Sequence, residues 1–103
     1  MTKVLLVCAG GYSTGILMKK LEKYAKDKGI DFKVEAHGIG DYQDVYQDFD
    51  IILLGPQISY KEEEIKSNTN MPIDIVAQLD YALGNAENIF KQIDKLMAQL
   101  EKN

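Results

Sequence analysis

Two four-residue runs without a polar member, Val4-Leu5-Leu6-Val7 and Ile51-Ile52-Leu53-Leu54, constrain the fold of this chain most. Successive side chains of a strand point to opposite faces of its sheet, so a strand apolar at every position has no face to offer water. Both runs are therefore expected at the centre of a parallel sheet, covered by helices on two sides. Two further segments read as strands with one polar face. Phe32, Val34 and Ala36 alternate with Lys33, Glu35 and His37, and Ile73 and Ile75 flank Asp74 before Val76. These belong at the edges. Between the strands the period changes to that of a helix. Ile16, Leu17, Leu21, Tyr24 and Ala25 form one stripe, with Lys26 and Lys28 before Gly29 as a C-terminal cap. Asp41 to Asp48 reads as a short second helix and Tyr60 to Lys66 as a third. Ile89, Ile93, Leu96, Met97 and Leu100 form the core-facing stripe of a last helix that Asn85 can cap.

Strands alternating with helices imply an α/β fold, because parallel neighbours need crossover connections. The central and edge strands then give a single open four-stranded parallel sheet, order 2-1-3-4, with helices on both faces. At 103 residues the chain is expected to make one domain over 1–103. In such a sheet the winding reverses beside strand 1, and ligands collect at the carboxyl ends of the strands near that point. Cys8, the single cysteine, stands at that end.

Composition narrows the partners. Hydrophobic residues make up 46% and charged residues 27%, and the net charge is −4. A chain of this balance folds, and it lacks the positive field that draws nucleic acid phosphates or anionic lipid. No apolar segment approaches the ~20 residues that span a bilayer, and the glycines, tyrosine and polar residues after Cys8 interrupt the apolar start too early for a signal peptide. One cysteine makes no internal disulfide. A reduced, cytoplasmic, monomeric protein without direct membrane insertion is expected.

The segment after strand 1, Cys8-Ala9-Gly10-Gly11-Tyr12-Ser13-Thr14-Gly15, has the makings of a phosphate cradle. A helix starting near Ser13 would turn unpaired N–H groups and the positive end of its dipole toward Cys8. Gly10, Gly11 and Gly15 leave room for backbone amides to curl around an oxyanion. The same field favours thiolate over thiol and makes Cys8 a nucleophile. Known phosphate motifs match incompletely. Gly10 and Gly15 have the spacing of a nucleotide P-loop, but Ile16 and Leu17 stand where that motif needs Lys and Ser or Thr, so ATP is not expected. Small cysteine phosphatases resemble this topology and also head an anion loop with cysteine. They close it with arginine, where this chain has Thr14 and no arginine nearby. A thiophosphate formed here should wait for a delivered acceptor rather than react with water.

These residues resemble the IIB components of the lactose, cellobiose and chitobiose class of the bacterial phosphoenolpyruvate-dependent sugar phosphotransferase system. The resemblance covers nearly the whole chain. It rests on "CAGGYSTGIL" after strand 1, "LLGPQISY" after strand 3, the "MPIDIV" strand and "YALGNAENIF" before the last helix. It departs from the usual pattern at Tyr12, where methionine is commonest, at Gly15, often serine, and at Ala82, where glycine usually follows the tyrosine. The resemblance implies that Cys8 takes a phosphoryl group from a histidine of a IIA partner. It then passes the group to a sugar held by the membrane component IIC, a β-linked disaccharide such as cellobiose, chitobiose or lactose.

No cofactor or metal is called for. Gln57, after a central strand, and Tyr81, after strand 4, are expected on the rim of the site, with Gly55 and Pro56 shaping the turn. His37, the single histidine, reads as a solvated surface residue, and Glu62, Glu63 and Glu64 as the solvent face of the third helix. A small cysteine phosphatase and a regulatory docking protein of the same fold are the rival readings.

Overall fold

The computed structural model describes residues 1–9 and 14–102. Its strands are β1 (Thr2–Cys8), β2 (Phe32–Gly38), β3 (Ile51–Leu54) and β4 (Ile73–Ile75). Its α-helices are α1 (Thr14–Lys28), α2 (Tyr42–Val45), α3 (Glu62–Thr69), α4 (Gln78–Leu83) and α5 (Ala86–Lys102). The strands form one parallel sheet in the expected order, β2-β1-β3-β4. Val4 lies opposite both Val34 and Ile51, and Val7 opposite both His37 and Leu54, so β1 is flanked on each side from Val4 to Val7.

The two polar-free runs are fully buried for the anticipated reason. Val4, Leu6, Ile51 and Leu53 face one side, against Leu17 and Leu21 of α1 and Ile89, Phe90 and Ile93 of α5. Leu5, Val7, Ile52 and Leu54 face the other, against Tyr42, Ile58 and Ile65. All eight strand residues have no exposed surface. Phe90 fixes the first layer further by lying 4.9 Å from the Tyr24 ring and 4.8 Å from that of Phe32.

The caps fall where the chain chemistry puts them. Gly29 takes φ +69, a left-handed conformation that costs glycine little, and lets the Ile30 N–H donate to the Ala25 carbonyl at 2.8 Å. The Asn85 side-chain oxygen accepts the Asn88 N–H at 3.3 Å and opens α5.

Three local differences have physical causes. The segment expected as one helix from Asp41 to Asp48 is α2 followed by a 3-10 turn over Tyr46–Asp48, because Val45 leaves helical geometry at φ −127. The third helix starts at Glu62 and reaches Thr69. Before it a 3-10 stretch, Pro56–Lys61, opens on a proline that has no N–H to give and kinks at Ile58. The helix α4 has no expected counterpart: it is six residues long and buries none of them, so it carries no apolar stripe.

Candidate functional site

Cys8 is the last residue of β1 and only 3% exposed. Its thiol lies 3.7 Å from the His37 main-chain carbonyl, to which it donates. On the other side the Gly55 N–H donates to the Val7 carbonyl at 2.9 Å, which ties the end of β3 to the residue before Cys8. The sheet thus delivers Gly38 and Gly55 to the two flanks of the cysteine. The connection that follows leads into the amino end of α1, so that helix starts at the same end of the sheet.

Of the expected cradle, Ala9 is exposed directly after the strand, Thr14 opens α1 and Gly15 lies in the first turn of α1. A side chain at Gly15 would meet nothing within 4 Å, so packing does not require glycine there. Gly10, Gly11, Tyr12 and Ser13 lie outside the described residues.

The two expected rim residues come together. A Cβ placed on Gly55 would stand 3.2 Å from the Gln57 amide oxygen, 3.6 Å from Tyr81 Cε2 and 3.7 Å from the Tyr81 hydroxyl oxygen. Gln57 and Tyr81 therefore both lie over Gly55, where a Cβ would crowd the Gln57 amide oxygen and stand in ordinary contact with the Tyr81 ring. Between α1, the 3-10 stretch and α4 runs a cleft of about 330 Å³, lined by Ile16, Leu17, Lys20, Gln57, Tyr81 and Ala82. Lys20 was not anticipated at this rim. It is one lysine among twelve in a chain without arginine, and only the glycine after α4 hints at a close neighbour.

His37 is half-buried instead of solvated, because its ring folds back along β2 onto a carboxylate two positions away on the same face. Its Nε2 is 3.3 Å from Glu35 Oε1, and Glu35 Oε2 is 3.1 Å from Lys33 Nζ. Hydrogen bonding from Lys33, then from His37, holds the Glu35 carboxyl below the usual carboxylate range. A depressed folded value means that this small contribution to stability is complete above the unfolded pKa and disappears as pH falls through the folded one. The side-chain carbonyl resonance of Glu35 should accordingly titrate at lower pH than in an unfolded peptide, and Lys33→Met should move its midpoint up. A midpoint indifferent to Lys33 would contradict the pairing.

A family model described as "PTS system, Lactose/Cellobiose specific IIB subunit" matches residues 3–92. The chain belongs to that family. A solved IIB structure, the cellobiose-specific phosphotransferase IIB component from Borrelia burgdorferi, superposes with a TM-score of 0.79 at 32% identity, covering 95% of this chain and 93% of that one. The "PTS system cellobiose-specific EIIB component" of Lactococcus lactis subsp. lactis is 28% identical over 102 residues, 91% of this chain and 94% of that protein. The "PTS system lactose-specific EIICB component" of Staphylococcus haemolyticus is 38% identical over 69 residues, 67% of this chain. That match spans 12% of the staphylococcal protein's length. The IIB fold is thus shared with a relative of nearly the same extent and with a small part of a much longer one. Among the described residues no helix is long and apolar enough to cross a membrane.

Proposed function

We propose that this IIB chain is a phosphocysteine carrier. Cys8 accepts a phosphoryl group from a phosphohistidine of a IIA partner and yields it to a sugar bound by a membrane IIC component. The sugar class is a β-linked disaccharide such as cellobiose, chitobiose or lactose, and the carrier works on the cytoplasmic side. The observation that carries this reading is the position of Cys8: the end of a central strand, beside the reversal of winding, where the chain turns into the amino end of α1. The likeness to cellobiose-specific and lactose-specific phosphotransferase components supports it.

The chemistry balances with few groups. The thiolate attacks phosphorus in line, the S–P bond forms as the N–P bond of the donor breaks, and the departing imidazole takes up a proton. Then a sugar hydroxyl attacks, the S–P bond breaks, the thiolate leaves and the hydroxyl proton is released. Backbone donors around the loop and the first turn of α1 would carry the charge on the transferring oxygens, while the partners supply alignment. Since the chain has no arginine to clamp those oxygens, attack by water lacks a principal stabilising group.

Alkylation by iodoacetamide tests the thiolate. A helix N-terminus lowers a cysteine pKa whereas apolar burial raises it, and the reading requires the first to win. Because Cys8 is so little exposed, absolute labelling is slowed, and the informative quantity is the midpoint of the pH–rate profile. That midpoint is expected below the roughly 8.5 of free cysteine, and inorganic phosphate is expected to slow labelling. A midpoint at or above the free value, with no protection, would count against the anion cradle. Sustained turnover of an aryl phosphate would instead support the phosphatase reading.

A further inference from the structure

The helix α4 is short, and a helix of six residues has little stability of its own. Side chains must hold it. Tyr81 packs half-buried against the core shared by α1 and α5, and Asn88 of α5 donates to the Asp80 carboxylate at 3.1 Å. From the other side Lys20 of α1 donates its Nζ to the Leu83 carbonyl at 3.0 Å, across sixty-three positions of sequence. The last carbonyls of a helix lack intrahelical donors and carry partial negative charge, so an ammonium group there satisfies one and offsets the other. The fit is close. Gly84 follows with φ +64, and a Cβ on it would lie 2.5 Å from Lys20 Cδ and 3.1 Å from Nζ. Glycine therefore serves both the backbone turn and the passage of the lysine stem.

Resting on the reading of Cys8 above, we propose that Lys20 is a positioning residue for phosphoryl transfer: it latches the carboxyl end of α4 to α1 and so sets Tyr81 over Gly55 and Gln57. The path is short and continuous. Lys20 holds Leu83, Leu83 and Tyr81 share one turn of α4, Tyr81 lies over Gly55, and the Gly55 N–H is bonded to the Val7 carbonyl next to Cys8. Lys20 moves no proton and forms no bond to phosphorus. Its effect is the placement of the Tyr81 ring over Gly55, whose N–H is bonded to the residue before Cys8.

The test uses the full chain labelled with 3-fluorotyrosine, in which the Tyr81 resonance among six tyrosines is assigned from Tyr81→Phe. Lys20→Met keeps an unbranched stem and removes the donor, whereas Lys20→Arg restores one. Lys20→Met is expected to shift the Tyr81 ¹⁹F resonance and leave the other tyrosines in place. Phosphoryl uptake from phosphorylated IIA should lose about tenfold in kcat with KM changing less than roughly twofold, and Lys20→Arg should return both readouts toward wild type. A rise in KM alone, as for a mere surface charge, would overturn the proposal, as would an unchanged kcat. An unmoved Tyr81 resonance overturns the latch alone; continued uptake by Cys8→Ser would overturn the reading of Cys8 and this proposal with it.

Discussion

Cys8→Ser is expected to reduce phosphoryl uptake from a phosphorylated IIA partner by at least roughly a thousandfold, as removal of an enzyme's nucleophile does. A serine hydroxyl is barely ionised at neutral pH, and a thiol is a few per cent thiolate even before its surroundings assist. Among the described residues, the Cys8 thiol donates to the His37 main-chain carbonyl, which is no base for a hydroxyl, and the His37 ring is engaged with Glu35. The substitution should spare the fold, because a hydroxyl can donate to the same carbonyl and is no larger than the thiol it replaces. Radiolabel transfer together with a thermal melt checks both halves. Loss of labelling with a melting temperature near wild type is the expected pair, and sugar phosphorylation by the reconstituted system should fail with it.

Leu53→Ala is expected to have the largest effect on stability. Leu53 has no exposed surface, lies in β3 between β1 and β4, and packs in the layer formed with α1 and α5. Sheet and helices surround it on every side, so neighbours cannot collapse into the space left behind. A truncation of this kind costs about 2–5 kcal/mol, against roughly 5–15 kcal/mol for a whole domain. The melting temperature should fall by roughly 10–25 °C in a chain of this size. Leu79→Ala, at a leucine 69% exposed on α4, should stay within about 0.5 kcal/mol of wild type. Equal losses from the two would show that burial in β3 is not what holds the sheet together.

The order of the sheet was legible because its two central strands have no polar residue to face water, while Lys33, Glu35 and Asp74 mark strands with a wet side. Burial against helices leaves no other place for Val4–Val7 and Ile51–Leu54. The carboxyl end of α1 and the start of α5 were legible too, since Gly29 and Asn85 act through local chemistry that a few neighbouring residues express. What could not be read was set by distant partners. Nothing within α4 announces a helix, because its place depends on Lys20 from α1 and Asn88 from α5. Gln57 and Tyr81 could each be put at the carboxyl end of the sheet, but that both lie over Gly55 is set by contacts between segments distant in sequence. The position of His37 was misjudged for a related reason: alternation assigns it a face, and only the pairing with Glu35 determines how far the ring folds down.

The central claim is that sulfur carries the phosphoryl group, and mapping the group on the wild-type chain tests it most directly. Phosphoenolpyruvate, the general phosphotransferase proteins and a cognate IIA would be mixed with the chain, followed by ³¹P NMR and mild tryptic digestion. Trypsin separates the two candidate carriers cleanly, since Cys8 falls in the peptide 4–19 and His37 in 34–61. The account predicts one phosphoryl group, a phosphorus resonance of the S–P type, and modification confined to peptide 4–19 at Cys8. A phosphoramidate signal mapping to His37, or a Cys8→Ser chain that still carries the group and still supports sugar phosphorylation, would contradict it.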